Sequence, residues 1–207
     1  MSTSTERLAL PVPMRMRTLA RDPRGYPIPF IVMLDKAGVA QFTINDQRRL
    51  EKVRGRKLCA ICGKRLDDGA WFVGGSRCFL HERGAFLDPP AHIECAEYAL
   101  RVCPFLAAPR YAGRIDDAKL TPGGMPEGMA LARAEFMTPD RPEIFGLGHS
   151  YAYRFEVDSA GGMGCYVVDA WDYIEWWERG ERVNAPASGI APPDPREQMP
   201  YTWGLAR

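Results

Sequence analysis

Two pairs of short apolar runs dominate the pattern of the chain, and each pair predicts a β-hairpin. The first pair, PFIVMLD (29–35) and VAQFTIN (39–45), is joined by a short turn that contains Gly38. The second pair, YAYRFEV (151–157) and GCYVVDA (164–170), is separated by a Gly-rich turn. Apolar runs of this length, bounded by Gly, Asn or Asp, are typical of paired strands. We therefore expect two antiparallel hairpins.

The polar segment DQRRLEKVRGRK (46–57) follows the first hairpin and predicts a helix. Asn45 or Asp46 can cap its first turn, because a side-chain oxygen at this position accepts hydrogen bonds from free backbone amides. Gly55 can end it, since glycine readily adopts the left-handed conformation at a helix C-terminus. A hairpin–helix unit is therefore expected in this part of the chain.

The segment DAWDYIEWWERGE (169–181) follows the second hairpin and predicts an amphipathic helix capped by Asp169. Its apolar residues at i, i+4 and i+7 share one helix face, which we expect in the core: Ala170, Ile174 and Trp177. Tyr173 and Trp176 fall on another face beside acidic residues. That face is expected to be exposed, unless the chain between the two hairpins covers it.

Between the hairpins lie two pairs of residues with metal-ligand spacing, Cys59-x2-Cys62 and His92-x2-Cys95. A Pro-Pro pair precedes the second pair and a further proline follows it, which predicts a helix of about three turns between them. Residues three apart on a helix share a face, so His92 and Cys95 can reach the same ion.

Three thiolates and one imidazole are a donor set typical of tetrahedral zinc. Because four protein ligands fill the coordination sphere, we expect one structural zinc ion. The runs AWFVGG (70–75) and RCFLHE (77–82) are expected to pair as strands between the two ligand pairs. A cysteine turn, a hairpin and a ligand-bearing helix predict a treble-clef zinc module. The fold class expected for the chain is α+β, with this module flanked by β-hairpin–helix units.

The other cysteines have less defined roles. Cys78 lies in the predicted strand RCFLHE and could replace His92 as a ligand. Cys103 lies eight residues after Cys95 on nearly the same helix face and is expected to be buried, although it could also replace a ligand. Cys165 lies in a predicted strand and is expected in the core.

Composition divides the chain into five segments. They are an irregular, basic N-terminal arm (1–26), a hairpin–helix unit with the zinc module (27–106), a connector rich in Gly and Pro (107–150), a C-terminal hairpin–helix unit (151–183) and a Pro-rich tail (184–207).

The ligand spacing is similar to that of the zinc fingers of poly(ADP-ribose) polymerases, which recognise DNA breaks. A longer stretch, from about residue 25 to 114, resembles an uncharacterised bacterial and phage family. The motifs that carry this resemblance are RGYPIPFIVMLD, LCAICGK, FVGG and PPAHIECAEYALRVCPFLAAPR. The pattern of that family also contains Cys103. The resemblance implies zinc binding and no particular activity.

The chain has 207 residues, 46% of them hydrophobic, and a formal net charge of +1. No apolar run approaches the roughly 18 residues that a membrane span needs. Charges and prolines interrupt the N-terminal segment, which therefore does not have the apolar core of a signal peptide. We expect a cytoplasmic protein with reduced thiols and no membrane contact, so its cysteines are better explained as metal ligands than as disulfides.

Positive charge is concentrated around the first cysteine pair. Residues 48–65 carry eight cations against the single acid Glu51, a net charge of +7: Arg48, Arg49, Lys52, Arg54, Arg56, Lys57, Lys64 and Arg65. Such a face can neutralise nucleic-acid phosphates. Residues 140–207 carry eleven acids and six cations, a net charge of −5, so the basic run could instead dock on this segment or face solvent. The leading hypothesis is a non-enzymatic zinc protein that contacts nucleic acid.

Two alternatives remain open. Tyr173 and Trp176 could serve an adaptor or inhibitor, including one of phage origin, because Trp and Tyr are enriched at the centres of protein interfaces. His81 could act as the general base of an HNH-like, metal-dependent nuclease. Against a nuclease, the zinc module contains no asparagine, and His92 is already assigned to zinc.

Overall fold

A computed structural model of the chain describes residues 4–66, 69–80, 85–107, 142–157 and 164–183. It contains helices and small sheets, so the α+β class expected from the sequence is confirmed. The helices are α1 (Ser4–Leu8), α2 (Gln47–Arg56), α3 (Ser76–Leu80), α4 (Ile93–Val102) and α5 (Pro104–Ala107), with a 3-10 helix at Met14–Met16. The strands are β1 (Val32–Leu34), β2 (Ala40–Asn45), β3 (Ala70–Gly75), β4 (Ile144–Ser150), β5 (Tyr153–Glu156), β6 (Cys165–Val168), β7 (Tyr173–Glu178) and β8 (Glu181–Val183).

The first predicted hairpin and the helix after it are both present. β1 and β2 pair antiparallel, and the carboxylate of Asp46 caps α2 by accepting hydrogen bonds from two backbone amides of the first turn. The predicted end at Gly55 is early, because the helix continues to Arg56 and the left-handed C-cap is Lys57, with φ of 50°. Local capping chemistry therefore defines the start of α2 better than its end.

An antiparallel sheet in the order β3-β4-β7-β8 lies at the centre of the fold. β4 pairs along both edges, with His149 opposite Trp71 of β3 and Gly148 opposite Ile174 of β7. Every residue of β4 is buried. This strand lies within residues 107–150, where the composition of the sequence predicts a connector and no strand.

The prediction of an amphipathic helix over residues 169–181 is wrong, because the chain after the second hairpin forms β7 and β8. Arg179 and Gly180 join the two strands with positive φ values of 52° and 84°, as a tight two-residue hairpin turn requires. Side chains alternate across β7, so Trp176 packs on one face of the sheet and Trp177 on the other. Pairing with β4 and burial of both faces outweigh the helical spacing of the apolar residues.

The prediction of a second strand in the zinc module, over residues 77–82, is also wrong for residues 77–80, which the structure describes. Residues Ser76–Leu80 form α3, directly after β3. Phe79 of α3 packs against β4, where a Cβ atom at Gly146 or Gly148 would lie 2.4 or 2.6 Å from a carbon of its ring. The helical conformation of α3 is stabilised because it places the ring of Phe79 on the flat surface that the glycines of β4 provide. Residues 81–84, which include His81, lie outside the described residues.

The second predicted hairpin is confirmed, since β5 and β6 pair antiparallel with Tyr153 opposite Val168. It packs on the aromatic side of the central sheet, in a cluster of buried residues that includes Phe72, Phe79, Phe86, Tyr166, Trp171 and Trp176. Asp169 caps no helix and forms an ion pair with Arg154 of β5 instead. The cluster on the opposite side of the sheet contains three of the four candidate metal ligands, Cys59, Cys62 and Cys95, so the sheet separates two cores.

The N-terminal arm is more ordered than predicted. It contains α1 and the 3-10 helix, and Met16 is buried beside α4 with Leu8 packed against the same cluster. Among the described residues, no helix combines the length and the apolarity that a bilayer-spanning segment requires. The five segment boundaries stay predictions.

Candidate metal centre

The first half of the site is a tight turn that carries Cys59 and Cys62. A bridge between Leu58 and Arg65 closes the turn, and the amide of Cys59 donates to the carbonyl of Lys64 at 2.7 Å. The amide of Cys62 donates to the sulfur of Cys59 at 3.4 Å, which favours the thiolate form of Cys59. Backbone geometry thus points both sulfurs to the same side.

Glycine is required at the end of this turn. Gly63 has φ of 70°, and a Cβ atom there would lie 2.7 Å from the ring of Phe30. The chain before β1 runs alongside the turn, with the amide of Phe30 donating to the carbonyl of Ile61 at 2.8 Å. The Gly that follows Cys-x2-Cys therefore serves both the backbone conformation and close packing.

The second half of the site is the start of α4. His92 is the N-cap residue and Cys95 lies in the first turn, so the helix begins where the proline pattern predicts it. Ala91 and Trp71 exchange two backbone hydrogen bonds, 2.8 and 3.1 Å long, which attach the helix start to β3. The amide of Ala60 donates to the carbonyl of Pro90 at 3.0 Å and joins the cysteine turn to the same segment.

These contacts bring the four predicted ligands together. The sulfur atoms of Cys59, Cys62 and Cys95 and a ring nitrogen of His92 all lie within 4.8 Å of one another, and all four residues are buried. A tetrahedral zinc ion with Zn–S of about 2.3 Å and Zn–N of about 2.0 Å holds its ligand atoms roughly 3.5–3.8 Å apart. The cluster could hold such an ion after small side-chain adjustments.

The hydrogen bonds of His92 leave one nitrogen available for a metal. Nε2 lies 2.8 Å from the carbonyl oxygen of Arg65, and a carbonyl can only accept, so Nε2 carries the proton. Nδ1 then presents its lone pair and lies 3.3 Å from the sulfur of Cys62. A carbonyl that orients the second nitrogen is a common feature of histidine ligands. The sequence does not indicate this role for Arg65, because a backbone acceptor leaves no trace in residue type.

Hydrogen bonding within the cluster shifts the pKa values of Cys59 and Cys95 in opposite directions. Hydrogen bonds from the side chains of Cys62 and Cys95 lower the pKa of Cys59 to about 3, although burial opposes the shift. Hydrogen bonding to Cys59 and Cys62 raises the pKa of Cys95. The opposite directions indicate that Cys59 loses its proton more readily than Cys95. A divalent cation would displace the remaining protons, because the thiolate is the form that binds metals.

The other three cysteines lie outside this cluster. Cys78 is in α3, and burial raises the pKa of its thiol to about 11, so it is protonated at neutral pH. Cys103 is the C-cap residue of α4 and is half-buried, so the burial expected for it is only partial. Cys165 is buried in β6 as expected. Within the described residues, no metal-ligand cluster includes any of these three.

The structure separates the eight predicted nucleic-acid-binding residues into two groups. Arg49 is half-buried, and its guanidinium donates to the carbonyls of Phe30 and Val32 at 2.9 and 3.2 Å, which is a structural role. The other seven are exposed: Arg48, Lys52, Arg54, Arg56, Lys57, Lys64 and Arg65. We call these seven side chains the basic face.

The basic face does not dock on the described acids of the C-terminal segment. Those acids pair locally instead, for example Glu175 with Arg182 at 2.8 Å and Glu178 with Arg179 at 3.6 Å. Within the described residues, no ion pair joins the basic face to a carboxylate. Among the residues that the structure describes, the positive charge of the basic face is thus not neutralised by an ion pair.

The aromatic surface expected of the C-terminal helix is not formed. Trp176 is 2% exposed and belongs to the aromatic core. Tyr173 is 38% exposed, and its hydroxyl donates to Glu175 at 2.9 Å. An adaptor surface made of both residues therefore loses its structural basis.

Comparison of the chain with protein-family models, with curated proteins and with solved structures found no match.

Proposed function

We propose that Cys59, Cys62, His92 and Cys95 bind one Zn²⁺ ion with a structural role. The observation that carries the proposal is the buried cluster of four ligand atoms, in which the hydrogen bond from Nε2 of His92 leaves Nδ1 free to coordinate. Three sulfur ligands and one imidazole favour zinc over harder cations such as Mg²⁺ or Ca²⁺. Four protein ligands leave no position for a water or a substrate, so the ion would stabilise the fold and perform no reaction.

The arrangement supports a module that is similar to a treble clef but does not contain the expected second strand. The cysteine turn, β3 and the helix start occur in the expected order. The sequence predicts that the run RCFLHE pairs with β3 as a second strand, but Ala91, just before the helix, forms a bridge with Trp71 of β3 instead. The segment 76–90, which contains α3, then lies between the two halves as an insertion. An ion would fix the turn to α4 across a separation of about thirty residues.

Native mass spectrometry of the purified chain tests the metal proposal. We expect a mass increase of one zinc ion, which is lost in Cys59→Ser and in His92→Ala. Cys78→Ser is the matched control and should retain the ion, because Cys78 lies outside the cluster. Full zinc occupancy in Cys59→Ser, or loss of zinc in Cys78→Ser, would contradict the ligand assignment.

We further propose that the basic face binds the phosphate backbone of nucleic acid. The observation that favours this function is the exposure of seven cations without a carboxylate partner among the described residues. Binding through phosphates releases counterions, so the affinity should fall steeply as salt rises. Contacts of this kind read little sequence.

Fluorescence anisotropy with a labelled oligonucleotide at several salt concentrations tests this second function. The double variant Arg48→Glu, Arg56→Glu should weaken binding and reduce the slope of log affinity against log salt by roughly 0.7–0.9 for each phosphate that the variant no longer neutralises. Lys36→Glu reverses a charge on the β1–β2 turn, away from the basic face, and serves as the matched control. A salt-independent affinity, or equally weakened binding in both variants, would reject the proposal.

A further inference from the structure

A cavity of about 170 Å³ lies where α2 and the base of the cysteine turn meet the β5–β6 hairpin. Leu58 and Leu66, which flank the turn, form one wall together with Val53 of α2. The hairpin forms the opposite wall with aromatic side chains. Neither the metal centre nor the central sheet accounts for this cavity.

The aromatic wall consists of Tyr153, Phe155 and Tyr166. The ring of Phe155 lies close to the backbone of Gly164, where a Cβ atom would be 2.1 Å from it, and contacts the ring of Tyr166 at 5.1 Å between centroids. Packing therefore holds this ring in one orientation. Burial raises the pKa of Tyr166 to about 12, so its hydroxyl is neutral at physiological pH and can donate a hydrogen bond.

The charge of the cavity comes from the basic face. The Arg54 guanidinium lies 4.4 Å from the centroid of the Phe155 ring, and Lys57 also lines the cavity. Both belong to the basic face and have no carboxylate partner within the described residues. Arg154 also lines the cavity, but it pairs with two carboxylates, those of Glu156 and Asp169, which together exceed its positive charge. The side of the cavity next to α2 is therefore the positive side.

From this combination we infer that the cavity binds a single unstacked base of a single-stranded nucleic acid, while the neighbouring cations bind its phosphates. Aromatic rings and guanidinium planes are the surfaces on which proteins stack unpaired bases. The inference rests on the proposed contact between the basic face and nucleic acid, and it specifies which form of nucleic acid that face accepts.

The size of the cavity separates a base from larger ligands. Pockets for drug-sized molecules occupy about 300–1,000 Å³, so 170 Å³ is too small for a whole dinucleotide or nucleoside triphosphate. A base inside a duplex is stacked on both sides and cannot enter such a cavity without leaving the helix. Single strands, in contrast, present bases at little cost.

Anisotropy measurements on the zinc-loaded full chain can test this inference with three probes of equal length. The probes are an oligothymidylate, the same strand with abasic sites in place of every base, and a duplex. We expect the oligothymidylate to bind most tightly at equal salt. Phe155→Leu keeps the apolar volume but removes the ring, and should weaken oligothymidylate binding about 5- to 100-fold with an unchanged salt slope. Phe155→His at pH 8 retains a planar aromatic ring without adding an atom toward Gly164, and should keep most of the affinity.

Each other result has a defined meaning, provided that zinc content and the melting temperature show each variant to be folded. Equal affinity for the abasic strand and the oligothymidylate, or no effect of Phe155→Leu, would overturn the base-binding cavity and leave the basic face intact. Failure of all three probes to bind would reject the basic face together with the cavity. Binding of a tyrosine-rich acidic peptide that depends on Phe155, with no oligonucleotide binding, would assign the cavity to a protein partner and also overturn the inference.

Discussion

The candidate metal centre packs on one side of the central sheet and the β7–β8 hairpin forms one edge of that sheet, yet their structures depend on different kinds of information. In the metal centre, short-range spacing determines where each ligand lies: a turn between two cysteines, and a helix start that places His92 near Cys95. In β7, the structure depends on β4, which pairs with it along its whole length. Local chemistry can be read from a short sequence window, whereas a pairing partner outside that window cannot.

The sequence of β7 fits two structures because both of its faces are buried. Ile174 and Trp176 face the aromatic cluster, and Trp177 faces the cluster that contains the cysteines. A strand that is apolar on both faces does not alternate, so its pattern cannot be distinguished from that of a buried helix. Glu175, a buried acid of β7, accepts a hydrogen bond from Nε1 of Trp177 at 2.8 Å.

Loss of the metal should produce the largest effect and would show how far the metal centre supports the sheet. We expect zinc removal by a chelator, or His92→Ala, to lower the free energy of unfolding by more than about 5 kcal/mol, since structural zinc in small domains contributes about 10–16 kcal/mol of binding free energy. Denaturant unfolding with and without zinc measures this loss. Hydrogen exchange should then show the amides of Cys62 and Gly63 opening first. Unchanged stability after zinc removal would mean that apolar packing alone holds the metal centre together.

Truncation of a tryptophan side chain in β7 should cause the next largest loss of stability. It distinguishes the observed strand from the helix that the sequence suggests. Trp176→Ala should cost about 3–5 kcal/mol, because Trp176 is 2% exposed in the aromatic core. Tyr151→Ala, at a side chain that is 69% exposed, should change stability by less than about 0.5 kcal/mol. Urea unfolding of both variants provides the measurement. Similar, small decreases in stability in both would favour the exposed helical position for Trp176.

Removal of the α2 cap should have the smallest effect, although it is the local feature that the sequence predicts most directly. Asp46→Ala should lower the free energy of unfolding by about 1 kcal/mol, because two first-turn amides lose their acceptor. Asp46→Asn retains an acceptor and should lose only part of that amount. Thermal unfolding can resolve the two variants, and an equal decrease in both would indicate that charge, and not the hydrogen bonds, provides the stabilisation.

Much of the candidate site could be predicted from the sequence. The four ligands, the tight turn and the helix start all follow from cysteine spacing and proline positions, and both hairpins follow from their apolar runs. These features share one property: the interactions that define each of them join residues no more than about fifteen positions apart along the chain.

The rest could not be predicted because the deciding contacts are distant in sequence. Gly146 and Gly148 look like loop residues, but they provide the flat surface on which Phe79 and Trp171 pack. The same contact makes the run after β3 a helix instead of a strand. The cavity beside α2 combines residues from 53 to 166, so no local pattern indicates it.

The position of β4 has a consequence for how the molecule could be divided. β3 comes before residue 107 and β7 after residue 164, and within the described residues the backbone hydrogen bonds of the sheet connect them only through β4. A polypeptide cleaved between residues 107 and 142 would leave one fragment with an open strand edge at β3 and the other with the strand that completes it. Co-expressed as separate chains, the two fragments would be expected to recognise each other by strand completion.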